Sequence, residues 1–307
     1  MTVTAYEPGL HLPGKRVIAL GFFDGVHLGH RQLLARAAAE AKARGAECAA
    51  FTFYAEDEKL KGGTARLYPT ADKLLLLEEC GVERVIFARL SDIGAMAGED
   101  FVRGVLTEAL GCTVAVCGYN FRFGAGASCG AETLRQTMAA AGGDAVVLDE
   151  YRSAGEEVSS SGIKCALSHG DAERANRALG KPYFLRGEVT HGRGVGRTLG
   201  YPTVNLAFAP GAFLPRAGVY VSRVTAEGVD ALALTDIGTC PTFGERETHS
   251  ETYLLEDGGD LYGKTVTVSL LAYLREEKKF ASAEELTEQI RKDVLCARVL
   301  NKEGHIR

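Results

Sequence analysis

Residues 17–34, VIALGFFDGVHLGHRQLL, do most to decide what the first half of this chain can fold into. Val17 to Leu20 is a short apolar run that reads as a buried parallel strand, and it stops at Gly21. Gly21, Gly25 and Gly29 punctuate a turn, after which Leu33, Leu34, Ala37, Ala38 and Ala41 mark one face of a helix. The first amides of a helix lack internal partners, so a strand, a glycine turn and a helix make an anion site. His27 and His30 lie three residues apart and share a face if both sit in the first helical turn. Two imidazoles above a helix N-terminus suit a triphosphate, because they donate to oxygens that gain charge in a transition state. A glycine turn before a helix is, taken alone, often only structural.

The alternation continues. Strands are expected at 47–54, 83–90, 113–118 and 145–148. Between them, helices are expected over 71–80 with Thr70 as N-cap, and from Glu99 to Leu110 and Ala131 to Ala141. Such alternation means βαβ units and a Rossmann-like α/β domain with a mostly parallel sheet. Ligands in such sheets bind at the carboxyl ends of the strands. The loop after Leu20 falls there, and so does GYNFRFGAGASCG at 118–130, where Arg122 stands between two phenylalanines. A third segment, VSSSGIKCAL at 158–167, offers serine hydroxyls at a helix start and the cation of Lys164.

Asp171 caps a short helix closed by Gly180, and the domain boundary is placed there, giving domains 1–180 and 181–307. Beyond it lie short β runs separated by glycine turns, which indicate a small antiparallel barrel. A terminal helix opens with a capping box, Ser282 with Glu285, and carries Leu286, Ile290 and Val294 as a stripe. In HGRGVGRTLGYPTVNL, 191–206, three glycines let a loop wrap closely round phosphates. Thr203 and Asn205 are two apart and face one side of a strand, where a hydroxyl and an amide oxygen can hold magnesium. The segment is not a Walker A loop, since G-K-[ST] is absent. Glu251 is the candidate general base for removing an alcohol proton during phosphoryl transfer, although a strand glutamate is more often merely solvated.

A net charge of −5 argues against a general nucleic-acid binder. Eight cysteines without a C-x-x-C pair fit a reducing compartment better than a secreted scaffold. No run approaches eighteen apolar residues, so no membrane span is expected, and the reading is of a cytoplasmic protein.

The string G-x-F-D-G-x-H-x-G-H (Gly21, Phe23, Asp24, Gly25, His27, Gly29, His30) resembles the signature of HxGH-type nucleotidyltransferases. It is most similar to that of the bacterial bifunctional riboflavin kinase/FMN adenylyltransferase family. The resemblance implies that Asn120 and Arg122, in a G-x-(D/N)-F-R-F-G segment, line the adenylyltransferase site. It further implies that Ser160, Ser161 and Lys164 meet the pyrophosphate, with Lys164 where the family has arginine. In the second half, G-R-x-L-G-x-P-T-x-N resembles the riboflavin kinase signature. There the resemblance implies that Gly192, Gly196, Arg197, Gly200 and Pro202 bind nucleotide and that Thr203 and Asn205 hold magnesium. It also makes Glu251 the catalytic glutamate, and Gly218, Val219, Tyr220 and Arg275 flavin-site residues. The implied substrates are riboflavin, FMN and ATP with Mg2+, and the oligomeric state is left open. The family's F-x-P-H-P is replaced by Phe53-Tyr54-Ala55-Glu56-Asp57. That departure sets up a second expectation, a kinase whose adenylyltransferase domain is weakened.

Overall fold

The computed structural model describes residues 1–54, 65–190, 203–208, 211–242, 245–256 and 259–302, with backbone alone for the part of these between 239 and 249. Contacts divide the chain into two compact units, Met1–Ser160 and Ser161–Arg307.

The first unit runs β1 (Thr2–Ala5), β2 (Arg16–Leu20), α1 (Leu28–Arg44), β3 (Glu47–Phe53), α2 (Thr70–Glu79), β4 (Arg84–Ala88), α3 (Leu90–Ile93) and α4 (Gly98–Asp100). It continues through β5 (Cys112–Gly118), β6 (Arg122–Phe123), β7 (Cys129–Gly130), α5 (Ala131–Ala140), β8 (Asp144–Leu148), β9 (Arg152–Ser153) and β10 (Glu156–Glu157). Its main sheet has the order β1-β4-β3-β2-β5-β8, and every pairing in it is parallel. All five residues of β2 are buried, as a central parallel strand requires. The strand order reverses at β2, which has β3 on one side and β5 on the other, so the loops after β2 and β5 face each other across a switch point.

Three details depart from the sequence reading. The helix expected over 71–80 begins at Thr70 itself, after Pro69. The edge strand β1 was not anticipated, because Thr2–Ala5 is mostly exposed and too short to show a pattern. The helix expected at 99–110 is instead a wide π-type helix over Phe101–Ala109. Thr107 Oγ1 donates to Val102 O and Arg103 O there, so a side chain takes carbonyl capacity that regular α-helical amides would use.

The second unit contains α6 (Ser160–Ser168, its first residue belonging to the first unit), α7 (Ala172–Leu179), β11 (Tyr183–Glu188), β12 (Thr203–Ala207) and β13 (Gly218–Ala226). β14 (Val229–Thr242), β15 (Glu245–Leu254), β16 (Thr265–Arg275) and α8 (Ala283–Lys302) complete it. Its antiparallel sheet, β11-β16-β13-β14-β15-β12, curls until its ends meet, where the Thr190 N–H donates to Asn205 O at 3.0 Å. Ile290, Val294 and Ala297 of α8 pack on Val219, Val221, Leu232, Leu234, Leu271 and Ala272. Half of the expected capping box forms: Ser282 Oγ accepts from the Glu285 N–H, while the Glu285 carboxylate accepts from the Ala281 N–H, one residue before the cap. The sequence reading divides the chain at 180, whereas contacts divide it after Ser160. The reason is that α6 and α7 are tied to the barrel. Asn176 Nδ2 donates to Leu270 O (2.9 Å), its Oδ1 accepts from the Tyr183 N–H (2.7 Å), and Leu167 O accepts from the Arg216 N–H (2.9 Å).

Candidate active sites

The turn after β2 is held in an unusual shape. Phe23 and Val26 both have positive φ, 55° and 42°, as does Gly25 at 85°. A β-branched residue in that region stores strain that its surroundings must hold. Thr52 Oγ1 donates to Phe22 O (2.9 Å), Asp24 Oδ1 accepts from the Leu67 N–H (2.8 Å), and Ser160 Oγ donates to Asp24 O (2.8 Å). Asp24 is therefore a brace of the turn, and Ser160, which the resemblance assigns to the pyrophosphate, binds its backbone carbonyl.

The turn delivers His27 to the N-cap of α1, where its Nδ1 accepts from the His30 N–H at 3.4 Å. Accepting there leaves the proton on Nε2 in the neutral ring, so His27 presents an Nε2–H donor. The two imidazoles stack with centroids 3.7 Å apart and planes at 18°. Burial pushes His27 down to about 4. Burial, with the charges of His27 and Lys73, pushes His30 well below the usual value. A neutral pair stacks at that distance without mutual repulsion. The His30 Nδ1 is buried with no hydrogen-bond partner among the described residues.

Across the switch point, Asn120 and Arg122 stand exposed on the loop after β5. A run of ring contacts joins the loops: Phe22–Phe53, Phe53–Phe51, Phe51–Phe101, Phe101–Phe123 and Phe123–Phe121, with centroids between 5.6 and 6.4 Å. In α6, Ser161 is exposed and Lys164 half-buried. Sequence reading missed Lys73 of α2, which is buried under the turn and donates to Phe22 O (3.2 Å), Thr52 Oγ1 (3.3 Å) and Phe53 O (2.6 Å). A lysine in the first turn of α2, just before the unbroken leucine run at 74–77, gave no signal. At the end of β3, Tyr54 stacks on Phe87 at 4.4 Å, and Glu56 and Asp57 lie outside the described residues.

On the barrel, Asn205 of β12 lies directly opposite Glu251 of β15, and Glu251 directly opposite Asp236 of β14. Directly opposed residues share a face, so the three form a row across three strands. Thr203 and Tyr253 are opposed one step along. Burial, the charges of Glu251 and Asp236, and a hydrogen bond to Glu251 push the Tyr253 phenol up. Asn205 is only 9% exposed, and its Nδ2 has no hydrogen-bond partner among the described residues. Asp236 was missed because nothing in a single strand announces what its neighbours bring beside it.

The flavin-site expectations fare unevenly in their placement. Gly218 has φ 139°, and a Cβ there would stand 2.8 Å from the Tyr273 ring, so only glycine fits. Val219 packs under α8, and Tyr220 is fully buried with its hydroxyl donating to Arg216 O at 2.6 Å. Arg275 binds Asp293 of α8 through Nε (2.9 Å) and a terminal nitrogen (2.7 Å), so its guanidinium anchors the helix. Gly192, Gly196, Arg197, Gly200 and Pro202 lie outside the described residues.

Comparison with known proteins resolves the family. Residues 11–162 match the FAD synthetase family model and residues 179–300 match riboflavin kinase. The bifunctional riboflavin kinase/FMN adenylyltransferase of Bacillus subtilis is 32% identical over 287 residues, 91% of this chain and 90% of that protein. The Escherichia coli protein of the same name is 33% identical, covering 92% and 91%. The chain belongs to the bifunctional riboflavin kinase/FMN adenylyltransferase family. Both family domains are present, which favours the bifunctional expectation over a kinase with a failing partner domain. A crystal structure of a macrolide-efflux protein from Streptococcus pneumoniae has a TM-score of 0.86 at 26% identity, over 97% of this chain and 99% of that one. Among the described residues here, no helix is long and apolar enough to cross a membrane.

Proposed function

We propose that riboflavin becomes FMN on the barrel and FMN becomes FAD at the switch point of the parallel sheet, with MgATP feeding both steps. The observation that carries this reading is the presence in one chain of two differently built polar sites, the neutral histidine stack on α1 and the Asn205–Glu251 row on the barrel. Family membership supplies the two reactions, and the sites supply a division of labour.

In the first step Glu251 accepts the proton of riboflavin's primary hydroxyl as that oxygen bonds to the γ-phosphorus, and the bond to ADP breaks. Thr203 and Asn205 are neighbouring oxygen donors on one face, and the buried Asn205 amide with an unsatisfied atom fits a group still to come. A half-turn of the amide presents Oδ1 to a hard cation. Bound there, magnesium would neutralise phosphate charge. In the second step an FMN phosphate oxygen attacks the α-phosphorus of ATP, and pyrophosphate leaves. His27 donates from Nε2–H to oxygens gaining charge, and the α1 N-terminus favours the polyphosphate. Ser161, Lys164, Asn120 and Arg122 contact the nucleotide in this reading. The seven described cysteines are all free, which supports a cytoplasmic setting.

Incubation with riboflavin, ATP and Mg2+, followed by chromatography, tests the proposal. FMN and then FAD are expected, both lost on chelating the metal. FMN without FAD would remove the second reaction.

A further inference from the structure

We infer that Lys73 is a positioning residue for adenylyl transfer, holding the strained turn that presents His27 and His30. The inference rests on the reading of that turn as the FMN adenylyltransferase site. A buried ammonium is expensive, and methionine would fill the same place on α2 without that cost. Yet the charge sits 3% exposed in the first turn of α2, directly below the motif.

Its bonds explain the placement. Among the described residues the ammonium donates to three oxygens: Phe22 O, Thr52 Oγ1 and Phe53 O. Phe53 ends β3, Thr52 precedes it, and Phe22 follows β2 by two residues, so one side chain fastens the outlets of two adjacent parallel strands. The Phe22 carbonyl takes a second bond from Thr52 Oγ1 at 2.9 Å. That carbonyl leads straight into Phe23, the first of the non-glycine residues with positive φ. Such backbone costs on the order of 1–3 kcal/mol per residue and persists only where its surroundings over-determine it. The double anchor on Phe22 O is that determination. Lys73 also stands 4.6 Å from the Phe22 ring centroid, with Arg66 at 4.5 Å from the same ring, which fixes the side chain as well as the carbonyl. The charge of Lys73 is also among those that keep His30 neutral. Released, the turn would relax and move the imidazoles, and a displacement near 1 Å in an active site costs about a hundredfold in rate.

The test compares Lys73→Met, Lys73→Gln, Thr52→Val and His30→Asn in the full chain. FAD formation from FMN and MgATP is followed, with FMN formation from riboflavin as the folding control. Lys73→Met should lower kcat for FAD formation by about a hundredfold, with a smaller change in KM for ATP, while FMN formation holds. Lys73→Gln, which keeps two donors, should fall between Met and the parent, and Thr52→Val should show a milder loss of kcat. Should Lys73→Met lose its first-unit thermal transition, the Gln and Val variants decide on the same criteria. Parental kcat in Lys73→Met, or in both Gln and Val variants, overturns the inference. If His30→Asn also keeps full FAD formation, the reading of the site falls with it; if His30→Asn is inactive, only the role of Lys73 is lost.

Discussion

In the first unit the candidate side chains hang on turns that leave strand ends; in the second they stand on the strands themselves. The turn site is strained, with Phe23 and Val26 at positive φ, and its two imidazoles are neutral. The barrel site is regular, a row of directly opposed residues in an unbroken ladder, and it carries carboxylates. The difference fits the chemistry proposed for each. Adenylyl transfer joins a phosphate that is already ionised, so it needs donors aimed at growing charge and no base. Phosphorylating an alcohol needs a proton removed, and a carboxylate does that.

Removing one side of this comparison at a time gives the largest effects. Glu251→Gln should lower FMN formation by roughly a hundredfold or more and leave FAD formation from FMN unchanged, as steady-state rates on each substrate would show. His27→Asn keeps a side chain able to cap α1 but removes the imidazole. FAD formation should fall about a hundredfold while the kinase rate holds, measured by pyrophosphate release and FMN production.

Smaller effects concern stability. Asp293→Ala leaves the Arg275 guanidinium without its carboxylate in a half-covered pocket, which should cost the barrel unit about 3 kcal/mol in urea unfolding. A still smaller effect separates the units by pH. His27 titrates near 4 when folded and near 6.5 when unfolded, so between these values the unfolded chain binds more protons. The first unit should lose thermal stability as pH falls from about 6.5 toward 4 and regain it as pH rises, and the Asn variants should flatten that slope.

The same contrast explains what the sequence made legible. The turn site is contiguous, so Gly21 to His30 could be read as one object, and the parallel sheet followed from the alternation around it. The barrel's row joins residues from three strands, and only Glu251 and Asn205 carried a motif; Asp236 became visible when pairing set it opposite Glu251. Lys73 escaped because its role depends on burial beneath a distant turn. Arg275 was assigned to the flavin site by resemblance, and no local pattern could show that Asp293 arrives from α8 to bind it.

Under the proposed division of labour, two separate sites in one chain perform successive reactions. Mixing the Glu251→Gln and His27→Asn proteins with riboflavin and MgATP tests it most directly. Either variant alone should make FAD from riboflavin about a hundredfold more slowly than the parent, and the mixture should recover most of the rate, because FMN released by one is adenylylated by the other. A near-parental rate from either variant alone, or no recovery in the mixture while FMN accumulates, would show that the two reactions are not divided between these sites.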